Sequence, residues 1–207
     1  MDSSMYTINN GNKHLIICFG GRPLNFSGIL PFEFLTYLSK IYPNICDLIF
    51  FIDKNQCWYH RGIKDITNNI DETVLYLNNI ILKGNYDKVL FMGTSAGGYA
   101  AILFGSLCNN VDGVISFIPQ TILKNPIDIR YENLKTIINN KTKYIIHGQA
   151  GISDINDLHH ILHCENIENY RNIKVIKHNK YDIKQLRDTC VIKENIDSIL
   201  FSNQTPR

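Results

Sequence analysis

The stretch Phe91-Met92-Gly93-Thr94-Ser95-Ala96-Gly97-Gly98-Tyr99 sets one hydroxyl between glycines, where an apolar run ends and an alanine-rich one begins. It matches G-x-S-x-G, the pattern in which a sharp strand-to-helix turn presents a serine for attack on a carbonyl carbon. Such a turn needs a strained backbone and close approach of its two arms, so Ser95 is expected at positive φ and side chains are excluded from the flanking positions. The Ala96 N–H would then stand at a helix N-terminus, where unpaired donors and the helix dipole favour a developing oxyanion. The competing reading is that Ser95 merely caps a helix beside glycines needed for packing. A phosphate-cradling loop fits poorly, because the stretch is neither G-x-G-x-x-G nor G-x-x-x-x-G-K-[ST].

The elements that must position this serine are legible as apolar, β-branched runs bounded by Gly, Asn, Asp or Pro: HLIICF, DLIFFI, KVLFMG, GVISFI, KYIIHG and IKVIKH. Segments with helical spacing alternate with them, clearest in DETVLYLNNIIL, where Val74, Leu75, Leu77, Ile81 and Leu82 recur at helical intervals. FEFLTYLSKIY and LHHILHCENI are shorter cases. Alternation of this kind predicts an α/β three-layer sandwich with a mostly parallel six-stranded sheet in the order second, first, third, fourth, fifth, sixth. Ligands of such sheets sit at the carboxyl ends of the strands. The loops GGRPLN, DKNQCWYHRG, GTSAGG, PQTI and QAGISDIND are therefore the candidate walls of a site.

Composition narrows the class. The 207 residues are 44% hydrophobic, enough for one substantial core, and no linker or charge block divides them, so a single domain over 1–207 is expected. A net charge of +2 arises from interspersed Lys, Arg, Asp and Glu, which leaves no basic face for nucleic acid or an anionic membrane. No long apolar run or leader-like segment is evident, and the expected location is cytoplasmic. Six scattered cysteines without a CxxC pair read as reduced, mostly buried thiols, so neither a disulfide framework nor a zinc site is expected.

FGG after the first strand, DKNQCWYHRG after the second, GTSAGGYAAILFG after the third and ISFIPQTIL after the fourth, in that order, resemble the serine α/β-hydrolases. The resemblance extends from about His14 to Asp157 and is closest to a poorly characterised group associated with polysaccharide and glycan biosynthesis. It implies that Ser95 is the nucleophile, that a carboxylate follows a late strand, and that a histidine follows the last. Asp157 and Asp154 are the candidate acids, Asp157 preferred because Asp-x-x-His there resembles the family pattern. His178 is the candidate base, although the best register puts Lys180 or Tyr181 at that point. Ala96 and Gly21, with Gly20 beside it, are the expected oxyanion donors, the glycines permitting close backbone approach.

Trp58, Tyr59 and His60 are expected to line the pocket mouth, where aromatic side chains can stack on a sugar ring or shield an acyl group. His159, His160 and His163 fall on one predicted helix; His159 and His163 could share a face as a metal pair, but no third ligand stands at metal spacing, and no metal or other cofactor is expected. His147 belongs to a strand interior. After the fourth strand only PQTILKNPIDIR intervenes, a minimal cap. A small substrate with a short or sugar-borne acyl group fits such a cap better than a long lipid tail, with hydrolysis or acyl transfer as the reaction. The rival expectation is a catalytically silent module that binds a glycan or a protein.

Overall fold

A computed structural model describes residues 3–21 and 32–202. Its centre is a seven-stranded sheet in the order β1-β3-β2-β4-β5-β6-β7, formed by Met5–Ile8, His14–Phe19, Cys46–Phe51, Lys88–Thr94, Gly113–Phe117, Lys143–Gln149 and Ile173–His178. Strands β2 to β7 are the six read from the sequence, are mutually parallel and lie in the expected order. The seventh, β1, was not anticipated. It adds to the edge antiparallel to β3, with Met5 opposite Phe51 and Ile8 opposite Leu48. Four residues with Tyr6 facing outward carry too little apolar signal to be read as a strand. The link from β1 to β2 is pinned by buried Asp47, whose Oδ1 accepts from the N–H groups of Asn10 and Asn12.

Successive residues of the central strands face opposite layers, as the period of two requires. Leu15, Ile17 and Phe19 point into a core shared with helices α2 (Ile70–Gly84) and α3 (Ala96–Leu107). Ile16 and Cys18 point into a second core covered by α1 (Leu35–Ile41) and α6 (Val191–Leu200). Short helices α4 (Leu162–Glu165) and α5 (Ile183–Asp188) complete the layers. Helix α3 is buried from Ala96 to Gly105, which explains its apolar character on every side. On α2 the expected face needs correction: Leu75 and Leu82 are 64% and 76% exposed, and Ile70, Thr73, Leu77 and Ile81 are the buried residues.

The segment LHHILHCENI is helical only over Leu162–Glu165, and residues 154–161 are turns. That difference decides where its histidines point. No described helix is long and apolar enough to cross a membrane. The described cysteines are all free thiols; four are buried, whereas Cys57 is half-buried and Cys190 exposed.

Candidate active site

Ser95 joins the end of β4 to α3 with φ 55 and ψ −119, a conformation that non-glycine residues rarely adopt and that costs on the order of 1–3 kcal/mol. The flanking glycines show why the turn closes so tightly. A Cβ on Gly97 would lie 2.0 Å from the Phe19 carbonyl oxygen, and one on Gly93 would lie 2.4 Å from the Gly97 carbonyl oxygen. The strand-end serine is held by its own N–H, which donates to the Phe117 carbonyl at 2.8 Å, and by its carbonyl, which accepts from Tyr99.

Two side chains meet the Ser95 hydroxyl. His159 Nε2 lies 2.9 Å from Oγ, and Gln120 Nε2 lies 3.0 Å from it. The direction of each hydrogen bond follows from chemistry. An indole N–H can only donate, so Trp58 Nε1, 3.0 Å from Gln120 Oε1, fixes that atom as the oxygen and turns the amide nitrogen toward Ser95. Gln120 therefore donates to Oγ. The serine proton is then available to His159 Nε2, which accepts it in the tautomer that carries its own proton on Nδ1. This is the arrangement a general base needs.

Each contributor is set by local strain or satisfied polar groups. Gln120 is buried and follows Ile118, whose φ of 42 is a rare conformation for a β-branched residue, with its N–H bonded to the His147 carbonyl at 2.7 Å. Trp58 and Tyr59 also have positive φ, at 54 and 62. Their loop is held by buried Asp53, whose Oδ2 accepts from the N–H groups of Cys57 and Tyr59. Burial raises the Asp53 pKa, while these backbone donors oppose the rise.

Asp157 stands on the same loop as His159, with Oδ1 3.8 Å from Nδ1, beyond hydrogen-bond length. Its Oδ1 instead accepts from the His159 backbone N–H at 2.7 Å, bracing the turn that aims the imidazole. Burial lowers the His159 pKa from 6.5 and the Asp157 charge opposes this, so the ring is neutral at neutral pH. Asp154 does not approach either; its Oδ1 caps Asn156.

His178, expected as the base, needs correction. It ends β7 diagonal to His147 on the face covered by α6, and its Nε2 accepts a hydrogen bond from His147 Nδ1 at 2.9 Å. The Asn195 amide donates to the other His147 nitrogen, and burial, reinforced by His178, pushes the His147 pKa to about 3. The His147 ring stacks on Phe117 with centroids 4.8 Å apart. This pair therefore ties β6, β7 and α6 together rather than serving the elbow.

Of the expected oxyanion donors, Ala96 opens α3, where the first N–H groups lack intrahelical partners. Gly21 sits close by, for a Cβ there would lie 3.2 Å from the Thr94 carbonyl oxygen. Gly20 is excluded, because its N–H already donates to the Phe51 carbonyl at 2.8 Å. Residues 22–31, which include the rest of GGRPLN, lie outside the described residues.

The WYH trio divides. Trp58 and His60 border a cavity of about 390 Å³, whereas Tyr59 is fully buried and its hydroxyl donates to the Gly20 and Phe51 carbonyls, so it supports the loop from within. His60 is itself nearly enclosed: Nδ1 accepts from the Asp128 N–H and Nε2 donates to the Tyr99 hydroxyl, which donates in turn to the Tyr131 carbonyl. His60 thus clamps the excursion after β5 onto α3. His60→Ala should lower unfolding stability by about 1–3 kcal/mol through the unpaired partners left behind, read as a lower urea midpoint.

His159 and Gln120 are the two residues that sequence reasoning did not place. The signals were a strand-end PQTI loop and an Asp-x-His pair beside the expected Asp-x-x-His, neither of which shows by spacing alone that it converges on Ser95.

No family model and no curated protein sequence matches the chain. Solved structures do. The MenH protein of S. aureus superposes with a TM-score of 0.58 at 13% identity, covering 97% of this chain and 98% of its own. The Pyrococcus furiosus esterase Pf2001 gives 0.61 at 11% identity over 95% and 86%. FphF, a fluorophosphonate-binding serine hydrolase of Staphylococcus aureus, gives 0.62 at 11% identity over 93% and 84%. Together with the parallel sheet, the covering helices and the strained serine turn, these likenesses show that the chain has the α/β-hydrolase fold.

Proposed function

We propose that this protein is a serine-dependent hydrolase or acyltransferase acting on carboxylic esters, with Ser95 as nucleophile and His159 as base. The observation that carries the reading is the 2.9 Å contact between Ser95 Oγ and His159 Nε2, with Gln120 donating to the same oxygen. In the first step His159 Nε2 takes the hydroxyl proton as Oγ bonds the ester carbonyl carbon, and the carbonyl electrons move to oxygen. On this reading the Ala96 and Gly21 N–H groups receive that oxyanion. Its collapse expels the alcohol, which receives the proton from His159 and leaves an acyl group on Ser95. Water, or a hydroxyl of a second substrate, then reverses the sequence.

Asp157 acts here by charge and by bracing the loop. The silent-module alternative rested on the lack of a histidine after the last strand, and His159, arriving from the preceding loop, removes that argument. A sugar as the alcohol, and a setting in glycan assembly, remain the finer part of the proposal and rest on the sequence resemblance. The esterase and serine hydrolase titles among the structural neighbours agree with the reaction class.

The test is covalent labelling: a fluorophosphonate should modify the wild-type protein and leave Ser95→Ala unmodified, as seen by intact mass. The pH profile supplies an independent check. Only the neutral imidazole accepts a proton, and the His159 pKa is lowered, so kcat/KM should be full at neutral pH and fall as pH drops through a midpoint below 6.5. Asp157 raises that pKa, so Asp157→Asn should move the midpoint lower still. A profile with no ionisation in the histidine range would exclude His159 as the base.

A further inference from the structure

The cavity of about 390 Å³ is walled by Trp58, by the 122–127 segment after β5 and by the 155–163 segment after β6. Its character is apolar, set by Ile122, Leu123, Ile127, Leu158 and Leu162. Of the eleven large hydrophobic side chains left exposed among the described residues, five (Ile122, Ile127, Ile155, Leu158 and Leu162) line this one cavity. Apolar side chains scattered over a surface need no explanation, but convergence on a concavity of this size marks a binding site for an apolar ligand.

Two connections join the cavity to the elbow. Trp58, one of its walls, bonds Gln120, which bonds Ser95. Leu158 and His163 line it and flank His159 along the same segment. Ser95 and His159 do not themselves line the cavity, but Trp58, bonded to Ser95 through Gln120, and Leu158, adjacent to His159 in sequence, do, so it borders the elbow.

We propose that this cavity is an acyl-chain subsite, and that the ester cleaved at Ser95 carries an unbranched acyl group of medium length, roughly six to ten carbons, as fits a pocket of this volume. The proposal rests on Ser95 being the nucleophile. It revises the short acyl group expected from the sequence, which was inferred from the lack of a long apolar lid. Two short segments that are individually unremarkable, ILKNPI and INDLHHIL, build the apolar wall by facing each other.

Trp58 is the single tryptophan of the chain, so its fluorescence reports on the cavity without any chemistry. In a titration with straight-chain carboxylates, acetate should leave the emission unchanged, and affinity should then rise about fourfold per added methylene up to roughly eight carbons. Ile127→Asp and Ile122→Asp, both at exposed positions, should each weaken octanoate at least tenfold. In parallel, kcat/KM for p-nitrophenyl octanoate should exceed that for the acetate, and both variants should shrink that ratio.

Equal responses to acetate and octanoate, or variants that bind octanoate as the wild type does, would overturn the subsite. Labelling at Ser95 together with a preference for the acetyl ester would leave the serine hydrolase reading standing and sink the subsite. Chain-length-dependent quenching without labelling would do the reverse.

Discussion

His159→Ala is expected to lose ester hydrolysis and fluorophosphonate labelling on the order of a thousandfold or more, the same loss as Ser95→Ala, because members of a nucleophile–base unit fail together. His178→Ala should retain labelling, since its imidazole is hydrogen-bonded to His147 and not to Ser95. Circular dichroism on each variant separates a chemical loss from a folding one. The comparison is sharp because His178 ends a late strand and His159 follows one, and only His159 faces the hydroxyl. Equal labelling of His159→Ala and wild type would remove His159 from the mechanism.

The second large effect concerns the turn itself. Gly97→Ala should destabilise the protein by at least about 3 kcal/mol, since the added methyl would lie 2.0 Å from the Phe19 carbonyl and no flexible side chain is there to yield. Gly11→Ala is the control. Gly11, unlike Gly97, has positive φ, at +72, but a Cβ there meets nothing within 4 Å, so only the conformational cost of about 1–2 kcal/mol is expected. Urea unfolding of the two variants measures the difference. A Gly97→Ala midpoint no lower than that of Gly11→Ala would mean that β2, β4 and α3 can separate without penalty.

Much of this architecture could be read before the structure. Strands β2 to β6 are buried on both faces over most of their length, and such strands announce themselves as continuous β-branched runs. The elbow was legible because its glycines are a local steric requirement. Edge strand β1 was not, because four half-exposed residues gain their pairing only from β3, forty residues away.

The base was misplaced for a related reason. LHHILHCENI has helical spacing, yet Asp157 bonds the His159 N–H and holds residues 154–161 in turns, so that His159 leaves the predicted helix and reaches Ser95. Hydrogen bonds between a side chain and a nearby backbone group compete with helix, and periodicity is blind to them. His178 looked right by chain order, but His147, also unremarkable by itself, had already engaged it across the sheet. Gln120 was visible only as part of a strand-end loop; its orientation depends on Trp58, sixty-two residues earlier.

The loop between β6 and α4 carries His159 and also Leu158, Ile155 and Leu162 of the cavity wall. On the reading proposed above, this couples two properties that many enzymes can vary separately. A substitution that reshapes the cavity from this side also tilts the imidazole, so acyl preference and turnover would drift together under selection. The opposite wall, Ile122 to Ile127, bears no reacting group. Diversification of substrate range within this scaffold, whether by natural drift or in a directed library, should accordingly accumulate in the segment after β5, with the segment after β6 held nearly constant.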